Sequence, residues 1–152
     1  LFFSFKERRG VLLPFSVVIM STVIAVGMMP LFGYELSLIS ILVPIMMIAI
    51  ANNYGIHIVA RYQELNSLNP TWSMEQITNE SVKRLTKPII LTGLTTIVGV
   101  MGLIVQIMLP AKQMGIVSSI AIAFALVISL LFIPSVMVGM KKGKPQKLFT
   151  EN

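Results

Sequence analysis

The sequence predicts an all-α protein, a polytopic membrane helix bundle with four full transmembrane helices and an amphipathic cytoplasmic helix. The 152 residues are 55% apolar and only 12% charged. Four stretches without Asp, Glu, Lys or Arg span residues 10–34, 36–60, 88–111 and 113–140. Each is longer than the roughly 20 residues that cross about 30 Å of hydrocarbon as a helix. Of the 12 basic residues only Lys112 falls on the far side of this arrangement, so the positive-inside rule assigns the other side to the cytoplasm.

The chain begins with an apolar and then basic segment, residues 1–9, which is predicted as the cytoplasmic end of a preceding helix followed by a loop. A short interfacial anchor explains the same composition. The transmembrane domain is predicted over residues 10–140. Its first span, residues 11–30, has Pro14 in the opening turn, where the missing N–H costs little. The second span, residues 36–60, contains Pro44, which predicts a kink.

A cytoplasmic linker, residues 61–87, is predicted to contain an amphipathic helix over residues 73–86. Ser73 and Gln76 have the spacing of a capping box. The helix is expected to lie on the inner membrane surface with Trp72 at headgroup level, or alternatively to pack on the bundle. The third span, residues 88–108, is rich in Gly and Thr, which favour close helix approach. The fourth span covers residues 113–140, and residues 141–152 form a basic cytoplasmic tail.

The second span carries an unusual polar cluster, and polar groups within a membrane are functional candidates by default. Asn53 and His57 are four residues apart and therefore share one helix face. Because lipid would leave their hydrogen-bonding groups unsatisfied, the cluster is expected to face protein or a water-filled cavity. The candidate ion or proton relay, or interhelical polar network, consists of Asn52, Asn53, Tyr54, His57, Thr95 and Thr96. A structural role is equally compatible, since such hydrogen bonds each contribute only about 1 kcal/mol.

Other functions find little support in the composition. The chain has no cysteine, so thiol chemistry is excluded. It shows no metal-ligand spacing, acidic pair or phosphate-binding glycine loop, so we expect neither an enzyme nor a cofactor. The net charge of +6 comes from residues that flank the spans, which disfavours a nucleic-acid partner.

Residues 53–64, Asn-Tyr-Gly-Ile-His-Ile-Val-Ala-Arg-Tyr-Gln-Glu, resemble a signature of the resistance–nodulation–division (RND) superfamily. The similarity is to its MmpL-like, hydrophobe-exporter branch, whose fourth helix reads Gly-x-Asp-Tyr-x-x-His before an Arg-Tyr-x-Glu exit. Residues 91–99 are similar to the fifth helix of that family, and residues 132–134 to the end of its sixth.

The resemblance implies that the chain runs from the end of the second helix through the sixth of a bacterial inner-membrane transporter. It implies proton-driven export of lipids or other hydrophobic molecules. The expected partners are that substrate, the second half-repeat and extracytoplasmic domains of the same protein, and a homo-oligomer or accessory proteins. The alternative is a non-transporting, sterol-sensing-like module that binds lipid or acts as a scaffold.

The family's proton-carrying aspartate corresponds to Asn53, which does not titrate, and the chain contains no aspartate at all. Three hypotheses follow. This half has a structural, degenerate relay site; or His57, a residue type that titrates close to neutral pH, carries the proton; or oxygens of Asn52, Asn53, Tyr54 and Thr95 hold Na⁺.

Overall fold

The computed structural model describes residues 8–35, 38 and 41–139, and the side chains from residue 12 onward. The helices are α1 (Arg8–Leu31), α2 (Leu42–Leu68), α3 (Met74–Met101) and α4 (Leu109–Gly139), with a short 3-10 helix (Gly102–Val105) after α3. All four long helices are long and apolar enough to cross a membrane, which confirms the predicted all-α bundle. The predicted N-terminal segment up to residue 7, the start of the second span and the basic tail lie outside the described residues.

Helix α2 contacts α1, α3 and α4, and helix α4 likewise contacts α1, α2 and α3. Helix α4 is apolar on all sides, as expected of a helix surrounded by other helices and by lipid. Its inner face is lined by small and branched residues that are fully buried, namely Val117, Ala121, Ile122, Ala125 and Ile133. Helix α2 packs against α1 and, less extensively, against α3. Helix α3 is the least buried of the four, so one of its faces forms the surface of the bundle.

Helix α2 extends beyond the predicted end of the second span. It continues to Leu68, and Arg61 and Glu64 form an ion pair of 2.6 Å along it. Tyr62 and Leu65 are buried in this extension, so tertiary packing supports the helix past the apolar stretch. The charged residues therefore mark a change of surroundings and do not end the helix.

Helix α3 begins at the predicted capping box. The Ser73 backbone N–H donates to Gln76 Oε1 over 3.0 Å, and the Gln76 N–H donates to Ser73 Oγ over 3.2 Å. The helix then continues through Pro88 to Met101, so the predicted amphipathic helix and third span form one helix. Pro88 lacks the N–H that would donate to the Arg84 carbonyl, and the helix nevertheless continues through it. Ile77 is buried and Glu75 exposed, as the predicted faces require.

The linker is consequently much shorter than predicted. Residues 61–87 are helical except for a turn over residues 69–73, where the Trp72 N–H donates to the Asn69 carbonyl over 3.1 Å. At the other end of α3, helix α4 begins at Leu109, four residues before the predicted start of the fourth span. Pro110 thus occupies the first turn of α4, where it breaks no helical hydrogen bond.

Candidate functional site

A cavity of about 210 Å³ separates the polar cluster of α2 from the middle of α3. We call it the α2–α3 cavity. It is lined from α2 by Asn53, Tyr54 and His57, and from α3 by Leu85, Pro88, Ile89 and Thr92. Three of the six residues predicted for the site therefore meet at one place, and they do so beside the proline of α3.

Asn53 and His57 lie at the open side of this cavity. Both are exposed, and Asn52 is half-buried, in the described bundle. Their shared face follows from the four-residue spacing, which places them one helical turn apart. In a hydrocarbon environment these amide and imidazole groups need a polar partner or water. The residues that the structure describes leave that face uncovered.

Tyr54 points away from that opening and into the bundle. Its side chain is only 2% exposed, and a Cβ added to Gly93 would lie 3.4 Å from its hydroxyl oxygen. Thr96 is beside the hydroxyl, yet no hydrogen bond of good geometry joins the Tyr54 oxygen to any described residue. The phenol is therefore packed inside the bundle while its oxygen stays unsatisfied, and the absence of a side chain at Gly93 makes room chiefly for Leu126.

The threonines of α3 are engaged with their own helix. The Thr92 hydroxyl donates to the Pro88 carbonyl over 2.9 Å. The hydroxyls of Thr95 and Thr96 both donate to the Thr92 carbonyl over 2.8 Å. Thr95 is exposed and Thr96 half-buried, and neither lines the cavity. The threonine that does face Asn53 and His57 is Thr92, about one turn nearer the start of the span than predicted.

The cavity offers hydrogen bonding and no formal negative charge. Its polar lining consists of an amide, a phenol, an imidazole and a hydroxyl. Within the residues that the structure describes, no group of three His, Cys, Asp or Glu side chains could hold a metal ion. Such a lining can hold water or join helices.

The inner face of α4 carries buried hydroxyls that were not among the six residues predicted for the site. Ser118 and Ser129 are fully buried, and their oxygens have no hydrogen-bond partner among the described residues. They are eleven residues apart, a spacing that returns to the same helix face after three turns. That spacing was the available signal, and it places two polar groups inside the bundle.

An apolar concavity lies on the outer side of the bundle, between α3 and α4. This α3–α4 groove has a volume of about 560 Å³. Ile97, Met101 and Ile104 form one wall, and Ile120, Phe124 and Val127 contribute to the other. Because nearly all of its lining is apolar, it fits a hydrocarbon chain or another apolar side chain.

Comparison with known proteins gives one match. A family model described as the MMPL family matches residues 4–150, a range that includes all four helices and both walls of the α2–α3 cavity. No curated protein and no solved structure matches the chain.

Proposed function

Because the chain belongs to the MMPL family, a family of membrane transporters, we propose that it is the transmembrane portion of an RND-type secondary transporter. Its cargo is a lipid or another hydrophobic molecule, exported from a bacterial inner membrane, and the protein is not an enzyme. The family match over residues 4–150 carries this proposal. The four helices that can cross a membrane support it independently.

The α2–α3 cavity occupies the place where we expect the family's proton relay, and we propose that it is a structural remnant of that relay. Asn53 puts an amide where the relay has a carboxylate. The lining contains no carboxylate, and Thr95 and Thr96 are committed to the Thr92 carbonyl. Proton coupling then depends on the second half-repeat of the full protein.

The exposed face of Asn53 and His57 is the place where that second half would pack. In repeat-built transporters the coupling site lies near the repeat interface. Two exposed polar side chains, in a helix that is otherwise apolar outside the core, fit an interface of this kind better than contact with lipid.

Substitution of His57 tests the structural interpretation. Full-length protein in proteoliposomes would be driven by a pH gradient, with Nile red as the hydrophobic probe. We expect His57→Gln, which keeps hydrogen bonding, to retain most of the transport. His57→Ala is expected to lose at most about fivefold, the equivalent of one interhelical hydrogen bond of about 1 kcal/mol.

Complete loss of proton-driven transport in both variants would overturn the structural role and assign proton transfer to His57. Loss in His57→Ala alone would show that hydrogen bonding, and not titration, is what the site supplies. The matched control is Ser135→Ala, because Ser135 is exposed and its hydroxyl bonds only its own helix, at the Leu131 carbonyl.

A second candidate is a non-transporting module of sterol-sensing type. The α3–α4 groove favours it, since an apolar concavity of about 560 Å³ can hold lipid without any coupled ion. Saturable binding of a photoreactive sterol in this groove, with no Nile red movement under any pH gradient, would support the module. Acidic residues at the corresponding position of the second half would favour the transporter.

A further inference from the structure

One exposed stripe of α3 changes from polar to apolar within about one turn. Gln76, Asn79 and Lys83 lie on its polar part, and Leu91, Leu94 and Val98 on its apolar part. Together with Lys87, these positions recur at intervals of three or four residues, which keeps them on one helix face. A surface that changes in this way fits the boundary between lipid headgroups and hydrocarbon.

A groove of about 430 Å³ lies at this transition. We call it the lysine groove, and it is lined by Lys83, Thr86, Lys87, Ile90, Leu91 and Leu94. A second concavity, of about 490 Å³, adjoins it on the polar side. The two share Lys83, and the second also includes Trp72, a residue type that favours the membrane interface.

The charge of the lysine groove is positive and uncompensated. The nearby carboxylate of Glu80 pairs with the Arg84 Nε over 2.5 Å, so these two side chains together carry no net charge. Lys83 and Lys87 are both exposed and have no ion pair among the described residues. They are four residues apart, so their ammonium groups can approach one anion from adjacent turns.

We propose that the lysine groove binds one anionic phospholipid, with its phosphate between Lys83 and Lys87 and an acyl chain along Ile90, Leu91 and Leu94. This goes beyond the proposed transport function, because the site faces outward from α3 and shares no residue with the α2–α3 cavity. The lipid belongs to the leaflet on the basic side of the protein.

The order of the side chains along α3 favours a lipid over a soluble anion. A free phosphate would be attracted by Lys83 and Lys87 but would gain nothing from Leu91, which is 64% exposed, or Leu94, which is 52% exposed. A phospholipid can contact both the lysines and the apolar side chains, because its charged headgroup is joined to its acyl chains at the boundary between headgroups and hydrocarbon. Lysine stems can also extend along apolar surface to bring the charge to headgroup level.

The magnitude expected is modest but measurable. Attraction of about 1 kcal/mol per lysine near an anionic surface corresponds to about fivefold in affinity for each lysine and roughly 25-fold for both. A lipid with the same acyl chains but no net charge should lack this gain in affinity.

Native mass spectrometry of the purified protein, titrated with palmitoyl-oleoyl phosphatidylglycerol and separately with the phosphatidylcholine of the same chains, tests the proposal. We expect phosphatidylglycerol to bind more tightly, and Lys83→Gln with Lys87→Gln to remove roughly 25-fold of its affinity while phosphatidylcholine is unaffected. The matched control is Lys112→Gln, which removes a lysine from the first turn of α4 and should change the binding of neither lipid. Because both groove lysines are exposed, the double variant should keep its helical circular dichroism.

Equal affinity for the two lipids in the unsubstituted protein would overturn the proposal. So would an equal loss for both lipids in the double variant, since that would indicate altered packing and not lost charge. Displacement of phosphatidylglycerol by millimolar inorganic phosphate would assign the lysines to a soluble anion instead. Failure of the transport proposal would leave these results unchanged, because no step in them depends on a proton gradient.

Discussion

At the scale of single residues, the Tyr54 hydroxyl is the most unusual group in the bundle. Its ring is among the largest fully buried side chains, while its oxygen lacks a hydrogen-bond partner among the described residues. Most buried polar atoms in proteins are satisfied, and an unsatisfied hydroxyl is unfavourable by about 1–3 kcal/mol. Burial of the apolar ring of Tyr54 therefore stabilises the bundle, whereas burial of its unsatisfied hydroxyl destabilises it.

Replacing Tyr54 with phenylalanine should separate the two contributions. Because Tyr54→Phe keeps the ring and removes the unsatisfied oxygen, we expect the free energy of unfolding to stay the same or rise by up to about 1 kcal/mol. Thermal unfolding in detergent measures this. Tyr34→Phe is the control, since Tyr34 is only partly buried and lies outside the helices.

A decrease of about 1 kcal/mol or more in the free energy of unfolding of Tyr54→Phe would contradict this expectation, because that is roughly the contribution of one hydrogen bond. It would show that the hydroxyl is bonded, through water or Thr96, and that Tyr54 belongs to a working polar network. That result would also weaken the case for a degenerate relay.

The sequence predicted which residues of α2 form the polar face but not their partner on α3. Asn53 and His57 follow from helical periodicity alone, since a separation of four residues fixes their common face. The choice between Thr92 and the pair Thr95 and Thr96 depends on how far one helix is shifted along the other. That shift is set by side-chain packing, for which a single sequence carries no direct signal.

At the scale of helices, α1 and α2 approach each other closely where Pro14 meets Gly55. A Cβ added to Gly55 would lie 2.6 Å from Pro14 Cβ and 2.7 Å from its Cα. Small residues commonly allow such approaches between membrane helices. Since a proline ring and backbone cannot rotate away, this crossing has no room for a methyl group.

Gly55→Ala should consequently destabilise the protein by about 1–3 kcal/mol, the usual range for overpacking. Gly99→Ala is the matched control, because nothing lies within 4 Å of its added Cβ and alanine favours a helix. Both would be measured by unfolding in mixed micelles. Equal stability of the two variants would show that the α1–α2 crossing is looser than described.

The helix boundaries were predictable only where a local signal exists. The capping box at Ser73 marked the start of α3 because the signal is a hydrogen bond between near neighbours. The second span was predicted to end at residue 60, where the apolar stretch ends, whereas α2 continues to Leu68. The third span was predicted to begin at Pro88, whereas α3 runs through this proline from Met74.

At the scale of the whole molecule, the distribution of basic residues predicts how the protein is oriented in the membrane. The fold shows which two connections can be used to test that orientation. The turn over residues 69–73 and the segment after α3 lie at opposite ends of a helix of 28 residues, which at 1.5 Å per residue is about 42 Å long. This length exceeds the roughly 30 Å of the hydrocarbon core. The two connections must therefore face different compartments if α3 crosses the membrane.

The absence of cysteine from the chain allows this orientation to be measured with single substitutions. Thr71→Cys and Gln106→Cys place a thiol at exposed positions at the two ends of α3. With a membrane-impermeant maleimide added to intact cells, we expect labelling of Gln106→Cys alone, and of Thr71→Cys only after permeabilisation, because the basic side should be cytoplasmic. Phe124→Cys, exposed in the middle of α4, should resist labelling in both conditions because lipid covers it.

Labelling of Thr71→Cys in intact cells would reverse the assigned orientation and place the lysine groove in the outer leaflet. Labelling of Phe124→Cys would show that water reaches the α3–α4 groove.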